Sequence, residues 1–138
     1  MATTVVTFHG GMTFVGRGAS GHEVRMDAAE SVGGSDSAAR PVEVLLSSLG
    51  GCTGMDVVSI LRKMKTEPRD LSIEIRDERA ADYPKVLTKI HLVYRVTGEV
   101  SEENLVKAIE LSLTKYCPIV NSLSGVAEIS YEYAIDTA

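Results

Sequence analysis

Hydrophobic and polar residues in the first third of the chain form three short strand-like runs separated by glycines. The runs cover residues 4–9, 12–15 and 22–26 and are rich in valine, threonine and phenylalanine. Because β-branched and aromatic residues favour strands and glycine favours turns, we predict a three-stranded meander. The small and polar residues 30–38 that follow predict a mobile loop.

A different hydrophobic period starts at Pro41. Apolar or small side chains then recur every three or four residues, which is the spacing of one helix face. The positions are Val42, Leu45, Leu46, Leu49, Cys52, Met55, Val58, Leu61 and Met64. This pattern predicts a helix from about Pro41 to Lys65, ended by Pro68.

The second half of the chain returns to strand patterns and then to a helix. Residues 71–75 and 89–96 alternate as strands and are predicted to pair as a hairpin. Ser101 occupies the position of a helix N-cap, with two glutamates in the first turn. We therefore predict a second helix that runs from there to about Tyr116.

The last segments complete a mixed architecture. Pro118 favours the first position of a short helix at residues 118–123, and alternating apolar residues at 129–135 predict a final strand. The predicted order is βββ-α-ββ-α(α)-β, which is an α+β fold rather than a parallel α/β array. No internal repeat is visible, and we predict that residues 1–138 form a single domain.

Composition narrows the functional classes. The 138 residues are 44% hydrophobic and 24% charged, with a formal net charge of -5. The net negative charge argues against a nucleic-acid or anionic-lipid partner. No stretch approaches the roughly 20 consecutive apolar residues that a membrane-spanning helix needs. The N-terminus lacks a positively charged segment followed by an apolar run, so we expect a cytoplasmic protein without a membrane partner.

The only two cysteines, Cys52 and Cys117, are the main candidates for chemistry. Cys52 lies among Gly50, Gly51 and Gly54 inside an otherwise bulky helix, where each glycine costs about 0.5–1 kcal/mol relative to alanine. Close approach of another helix, or room for a substrate beside the thiol, would offset this cost. A small buried cysteine at a tight helix crossing explains the pattern equally well.

Cys117 lies between the end of one predicted helix and the start of the next. Unpaired N–H groups at a helix start favour thiolate, so this position predicts a lowered pKa for Cys117. A buried cysteine that caps the short helix is the simpler alternative. Considered together, two specially placed thiols suit a peroxidase, in which one thiol is oxidised to sulfenic acid and the other resolves it to a disulfide.

Charged side chains near Cys52 are the next candidates. A cation would stabilise its thiolate, and Arg17 in a glycine-rich turn and Arg40 beside the cysteine helix are possible sources. Glu43 lies nine residues before Cys52, which places it about 180° away around a helix. Its position in the first turn is explained by stabilisation of the helix N-terminus. The spacing of cysteines and histidines predicts no metal site, and we expect no bound cofactor.

These residues resemble a known family. The segment PVEVLLSSLGGCTGMDVV at residues 41–58, KYCP at residues 115–118 and the element order resemble the OsmC/Ohr family of organic hydroperoxide resistance proteins, in particular its short YhfA-like branch. The resemblance implies an OsmC-like fold in which antiparallel sheets wrap around two central helices in an intertwined homodimer. Both active sites would lie at the dimer interface.

The resemblance also implies an activity. Organic hydroperoxides would be reduced, with Cys52 as the attacking thiol, Cys117 as the resolving thiol and a lipoyl-type dithiol as the reductant. Arg17 would match the arginine that active members use. Peroxidase members carry a glutamate directly after the proline, whereas this chain has Val42 there and Glu43 one position later.

The Val42 difference motivates an alternative function. The chain could be a dimeric protein that binds a small apolar ligand or senses redox state, without efficient peroxidase activity. A purely structural dimer is a third hypothesis. All three predict an oligomer, so only the behaviour of the thiols distinguishes them.

Overall fold

A computed structural model describes residues 1–137, which form six strands and three α-helices. The strands are β1 (Val5–Phe8), β2 (Phe14–Arg17), β3 (Glu23–Met26), β4 (Asp70–Arg79), β5 (Leu87–Thr97) and β6 (Glu128–Asp136). The helices are α1 (Pro41–Lys63), α2 (Glu102–Leu111) and α3 (Pro118–Leu123). The predicted α+β class and element order are confirmed. The residues fall into two compact units, Met1–Ser47 and Ser48–Ala138.

The first unit contains the predicted meander. Strands β1, β2 and β3 pair antiparallel in sequence order, with Phe8 opposite Phe14 and Phe14 opposite Met26. Since side chains alternate between the faces of a sheet, this register places a set of apolar residues on one face. This apolar face consists of Val6, Phe8, Phe14, Val24 and Met26.

The loop after β3 is more ordered than its composition predicts. It contains a 3₁₀ turn at Glu30–Val32, and the buried Asp27 carboxylate accepts hydrogen bonds from the backbone N–H groups of Ala28, Ser35 and Ser37. The Ser37 hydroxyl donates a further bond at 2.7 Å. Asp27 therefore holds both ends of the segment, and the expectation of a mobile loop does not describe it.

The second unit contains a three-stranded sheet in the order β4-β5-β6. The predicted hairpin is confirmed, because β4 and β5 pair antiparallel. Strand β6 pairs parallel with β5, so the expectation of purely antiparallel sheets is wrong here. Parallel neighbours need a long crossover connection, and α2 with α3 provides it. One face of β5 contributes Ile90, Leu92, Tyr94 and Val96 to the core.

Helix α1 packs on this sheet through residues four apart. Leu49, Thr53, Val57 and Leu61 are buried. With 23 residues and a mean hydropathy of 1.6, α1 is the one described helix that could cross a membrane by length and composition alone. Core helices of soluble proteins meet the same criteria, so the expectation that the chain has no membrane span stays a prediction. In this chain 28% of the most apolar 18-residue window of α1 is buried.

The glycines of α1 have different roles. A Cβ on Gly50 would lie 2.8 Å from Cδ1 of Ile75, and a Cβ on Gly54 would lie 3.2 Å from Cδ1 of Ile73. Both isoleucines belong to β4, so a strand rather than another helix makes the close approach. A Cβ on Gly51 would meet no atom within 4 Å, which leaves open space at the residue before Cys52.

Candidate functional site

The two cysteines meet in the second unit. The sulfur atoms of Cys52 and Cys117 and a carboxylate oxygen of Asp56 all lie within 4.8 Å of one another. Both cysteines are free thiols, and Cys52 is partly exposed whereas Cys117 is fully buried. The structure therefore brings together the two residues on which the predicted chemistry depends.

Helix α1 positions two of the three groups. Cys52 and Asp56 are four residues apart, so they lie one turn apart on the same face of the helix. Thr53, the next residue after the cysteine, points into the core. Helix α1 thus presents a thiol and a carboxylate on one face, and the buried Thr53 holds this part of the helix against the core.

The second thiol is held by an irregular connection. After α2 the chain makes a π-helical turn at Ser112–Tyr116, and the N–H of Cys117 donates to the carbonyl of Ser112 at 2.8 Å. Cys117 then caps α3, with its sulfur accepting from the N–H of Val120 at 3.4 Å. The Asn121 side-chain amide donates to the Cys117 carbonyl at 2.8 Å. These bonds fix the direction in which the thiol points.

A chain of hydroxyl groups connects the site to the core. The Ser112 hydroxyl donates to the Asp56 carboxylate at 2.9 Å and lies 2.7 Å from the Thr53 hydroxyl. The Thr53 hydroxyl in turn lies 2.8 Å from the Tyr94 hydroxyl. Buried polar networks that are satisfied rigidify their surroundings, so this one fixes the orientation of Asp56 beside the thiols.

Burial controls the ionisation of the inner thiol. It raises the pKa of Cys117 to about 11, and the adjacent Cys52 adds to the increase. The backbone N–H groups of Val120 and Ile119 act in the opposite direction, as the helix-start argument predicts, but they do not outweigh burial. The predicted lowering of the Cys117 pKa is therefore wrong. Cys117 stays a neutral thiol near pH 7.

This raised pKa predicts a loss of stability in alkaline solution. The protonated thiol is favoured in the fold, so its contribution is complete below about pH 9 and is lost as pH rises through about 11. Urea unfolding of the reduced protein should show stability falling from pH 9 to pH 11 more steeply than in Cys117→Ala.

The comparison with Cys117→Ala is needed because burial also raises the pKa values of Tyr94 and Tyr131, each to about 12. Those tyrosines add a decline of the same sign above about pH 10 in both proteins. Identical slopes for the two proteins between pH 9 and 10 would contradict the assignment to Cys117.

A groove lies beside the cluster. It has a volume of about 300 Å³, and Asp56 is part of its wall. The other lining residues are Ser59, Ile60, Lys63, Leu111 and Tyr116. Asp56 therefore lies both beside the thiols and at a space that a small molecule or ion can enter.

The other predicted site residues belong to the first unit. Arg17 forms an ion pair with Glu23 across β2 and β3. The Arg40 guanidinium contacts Asp36 at 2.7 Å, and the N–H of Arg40 donates to the Glu43 carboxylate at 2.8 Å. Glu43 thus stabilises the start of α1, as predicted. Roles of Arg17, Arg40 and Glu43 at the thiols stay predictions.

Sequence reasoning missed the polar residues around the thiols. Asp56 carried a usable signal, because its spacing from Cys52 places both on one helix face. Ser112, Thr53 and Tyr94 come from three different elements and carried no such signal. Their hydroxyl groups meet where α2 passes into the π-helical turn before Cys117.

Comparisons with known proteins agree with this arrangement. Residues 34–132 match the family model of OsmC-like proteins. The chain is 35% identical to Protein YhfA of Escherichia coli strain K12, over 93% of each protein.

Solved structures resemble the fold. A hypothetical protein from Aquifex aeolicus VF5 is 28% identical, with a TM-score of 0.82 over 99% of this chain and 98% of that one. The organic hydroperoxide resistance protein OhrB of Bacillus subtilis has the same fold, with 15% identity and a TM-score of 0.68 over 97% and 98% of the two chains. On the evidence of its thiol pair, its fold and these matches, the chain belongs to the OsmC-like protein family.

Proposed function

We propose that this chain is a thiol-dependent peroxidase that reduces organic hydroperoxides. The observation that carries the proposal is the pair of sulfur atoms within 4.8 Å, one partly exposed and one buried. A protein with the same fold is named for organic hydroperoxide resistance, which agrees with the substrate class.

The different surroundings of the two thiols support their assignment. Cys117 is fully buried and its pKa is raised to about 11, so it is a poor nucleophile at neutral pH. Cys52 is partly exposed, next to the open space at Gly51. Cys52 is therefore the attacking thiol, and Cys117 resolves the oxidised form.

The proposed reaction consumes one hydroperoxide for each disulfide. The Cys52 thiolate attacks the hydroperoxide, so that an S–O bond forms, the O–O bond breaks and the alkoxide takes up a proton to leave as an alcohol. The Cys117 sulfur then attacks the sulfenic acid, forming the S–S bond and releasing water. An external dithiol, such as a lipoyl group, reduces the disulfide by exchange and is itself oxidised.

The direct test is the oxidation state of the two thiols. Reduced protein mixed with one equivalent of cumene hydroperoxide should lose both thiols and become lighter by two hydrogen atoms, with a peptide that joins Cys52 to Cys117. Peptide mapping by mass spectrometry and thiol titration measure this. Unchanged thiols in the treated protein would refute the peroxidase proposal.

The active form in this proposal is a homodimer. The apolar face of the first unit is exposed, and a second copy of the chain would cover it. A cavity of about 380 Å³ next to this face has an almost entirely apolar lining, which includes Met12 and Pro41. A copy of the same chain is the occupant that the family resemblance implies.

A second candidate function follows from Val42. Because the glutamate expected directly after Pro41 is absent, the dimer could bind a small ligand in the groove at Asp56 or sense redox state without efficient turnover. A Cys52→Ser variant that keeps its ligand and its cellular effect would favour this function over the peroxidase.

A further inference from the structure

We propose that the reduced protein binds one thiophilic divalent cation of the Zn²⁺ class through Cys52, Asp56 and Cys117. The inference deepens the proposed function, because the ion would occupy the same thiols. Only the expected effect of the cation on the peroxidase reaction depends on the proposed function. The set of three ligands is argued from geometry alone. It also replaces the sequence-based expectation that the chain has no metal site.

The three ligand atoms have the right chemistry and nearly the right spacing. Zn²⁺ prefers thiolate sulfur at about 2.3 Å and accepts carboxylate oxygen at about 2.0–2.2 Å. In a tetrahedral site these bonds place neighbouring ligand atoms about 3.6–3.8 Å apart. The observed atoms lie within 4.8 Å of one another. Side-chain rotations that move the ligand atoms by about 1 Å would therefore bring them to the spacing of a tetrahedral site.

The surroundings support the ligands in the way that metal sites require. Ligating carboxylates are normally held by hydrogen bonds, and Ser112 donates one to Asp56 at 2.9 Å. A carboxylate has two oxygens and can accept this bond while it coordinates an ion. The cation replaces the thiol protons on binding, because the thiolate is the form of cysteine that binds a metal.

The groove of about 300 Å³ has Asp56 in its wall, so one of the three ligand residues borders a space that an ion can enter. Three protein ligands leave one tetrahedral position for water or a small molecule. Binding is therefore exchangeable rather than a permanent structural feature of the fold.

Cation binding and oxidation would compete for the same two thiols. A metal-bound thiolate is less available for attack, and the disulfide has no thiolate to donate. When a hydroperoxide oxidises the bound form, two thiolates supply two electrons, the O–O bond breaks, two protons are taken up, and the products are the disulfide, an alcohol, water and the free cation. The site would thus couple the thiol redox state to cation release.

The test uses full-length reduced protein, freed of metal and reductant under nitrogen. Titration with Co²⁺ should give thiolate-to-cobalt charge transfer and tetrahedral d–d absorption that saturate at one ion per chain, and Zn²⁺ should displace both. Zn²⁺ affinity, measured against a chelating dye, should fall about 10–100-fold in Ser112→Ala and more than about 100-fold in Asp56→Asn. Cys52→Ser should lose the cobalt spectrum.

Matched controls separate the ligands from their surroundings. Ser72→Ala alters an exposed serine of β4 and Asp82→Asn alters an exposed aspartate, and both should bind Zn²⁺ like the unmodified protein. Weak binding that is unaffected by Cys52→Ser or Asp56→Asn would overturn the proposal. So would the absence of thiolate-to-cobalt absorption in a protein that still forms the Cys52–Cys117 disulfide, a result that leaves the peroxidase proposal intact.

Discussion

Replacing Cys52 with serine is expected to lower the rate of organic hydroperoxide consumption by about 1,000-fold or more, because the attacking atom is removed and a neutral hydroxyl is a far weaker nucleophile. The measurement is consumption of cumene hydroperoxide with a lipoyl dithiol as reductant. The variant should fold normally, since serine is close in size to cysteine and residue 52 is only partly buried.

Replacing Cys117 with serine is expected to give a different defect. Cys52 would still be oxidised, but its sulfenic acid would have no resolving thiol. One equivalent of hydroperoxide should be consumed rapidly, and a dimedone adduct should appear at Cys52. Repeated turnover should then fall as the unprotected sulfenic acid is oxidised further to sulfinic acid.

The two variants test the assignment of roles against each other. A dimedone adduct at Cys117 in the Cys52→Ser protein, with wild-type kinetics of the first oxidation, would reverse the roles. Equal activity of both variants and the unmodified chain would show that neither sulfur takes part. Ser72→Ala, which alters an exposed serine of β4 and no thiol, is the matched control.

The local parts of the candidate site could be predicted from the sequence. The glycines around Cys52 and the proline after Cys117 each marked a special backbone position, and both cysteines do meet. The ionisation of Cys117 could not be predicted, because the helix start and burial act in opposite directions. Burial of a residue depends on everything packed around it, which the local sequence does not contain.

The fold shows the same contrast. Elements that depend on neighbouring residues could be predicted, whereas pairings between residues far apart in the chain could not. The hydrophobic period placed α1 within about two residues of its observed end at Lys63. Alternation at Ile129 and Tyr131 placed β6, but it indicates only which side chains share a face. It does not specify the partner strand or its direction, so the parallel pairing with β5 was not foreseen.

The apolar face of the first unit is exposed in the single chain. Val6 is 55% exposed and Phe8 is 60% exposed, although both are residues that normally favour burial. The Phe8 and Phe14 rings pack at 5.4 Å between centroids, which makes the patch continuous. A contiguous exposed apolar patch of this kind marks an interaction surface, and we have proposed a second copy of the chain as its occupant.

Replacing Phe8 with aspartate is therefore expected to shift the protein from dimer to monomer. Burial of one phenylalanine is worth about 1.5–3 kcal/mol, and a two-fold dimer contains the change twice. The dissociation constant should rise about 100- to 10,000-fold, as measured by sedimentation over a dilution series. Thr7→Asp is the matched control, because Thr7 lies next to Phe8 on the opposite face of β1. If both variants dimerise equally well, or both dissociate equally, the apolar face is not what joins the two chains.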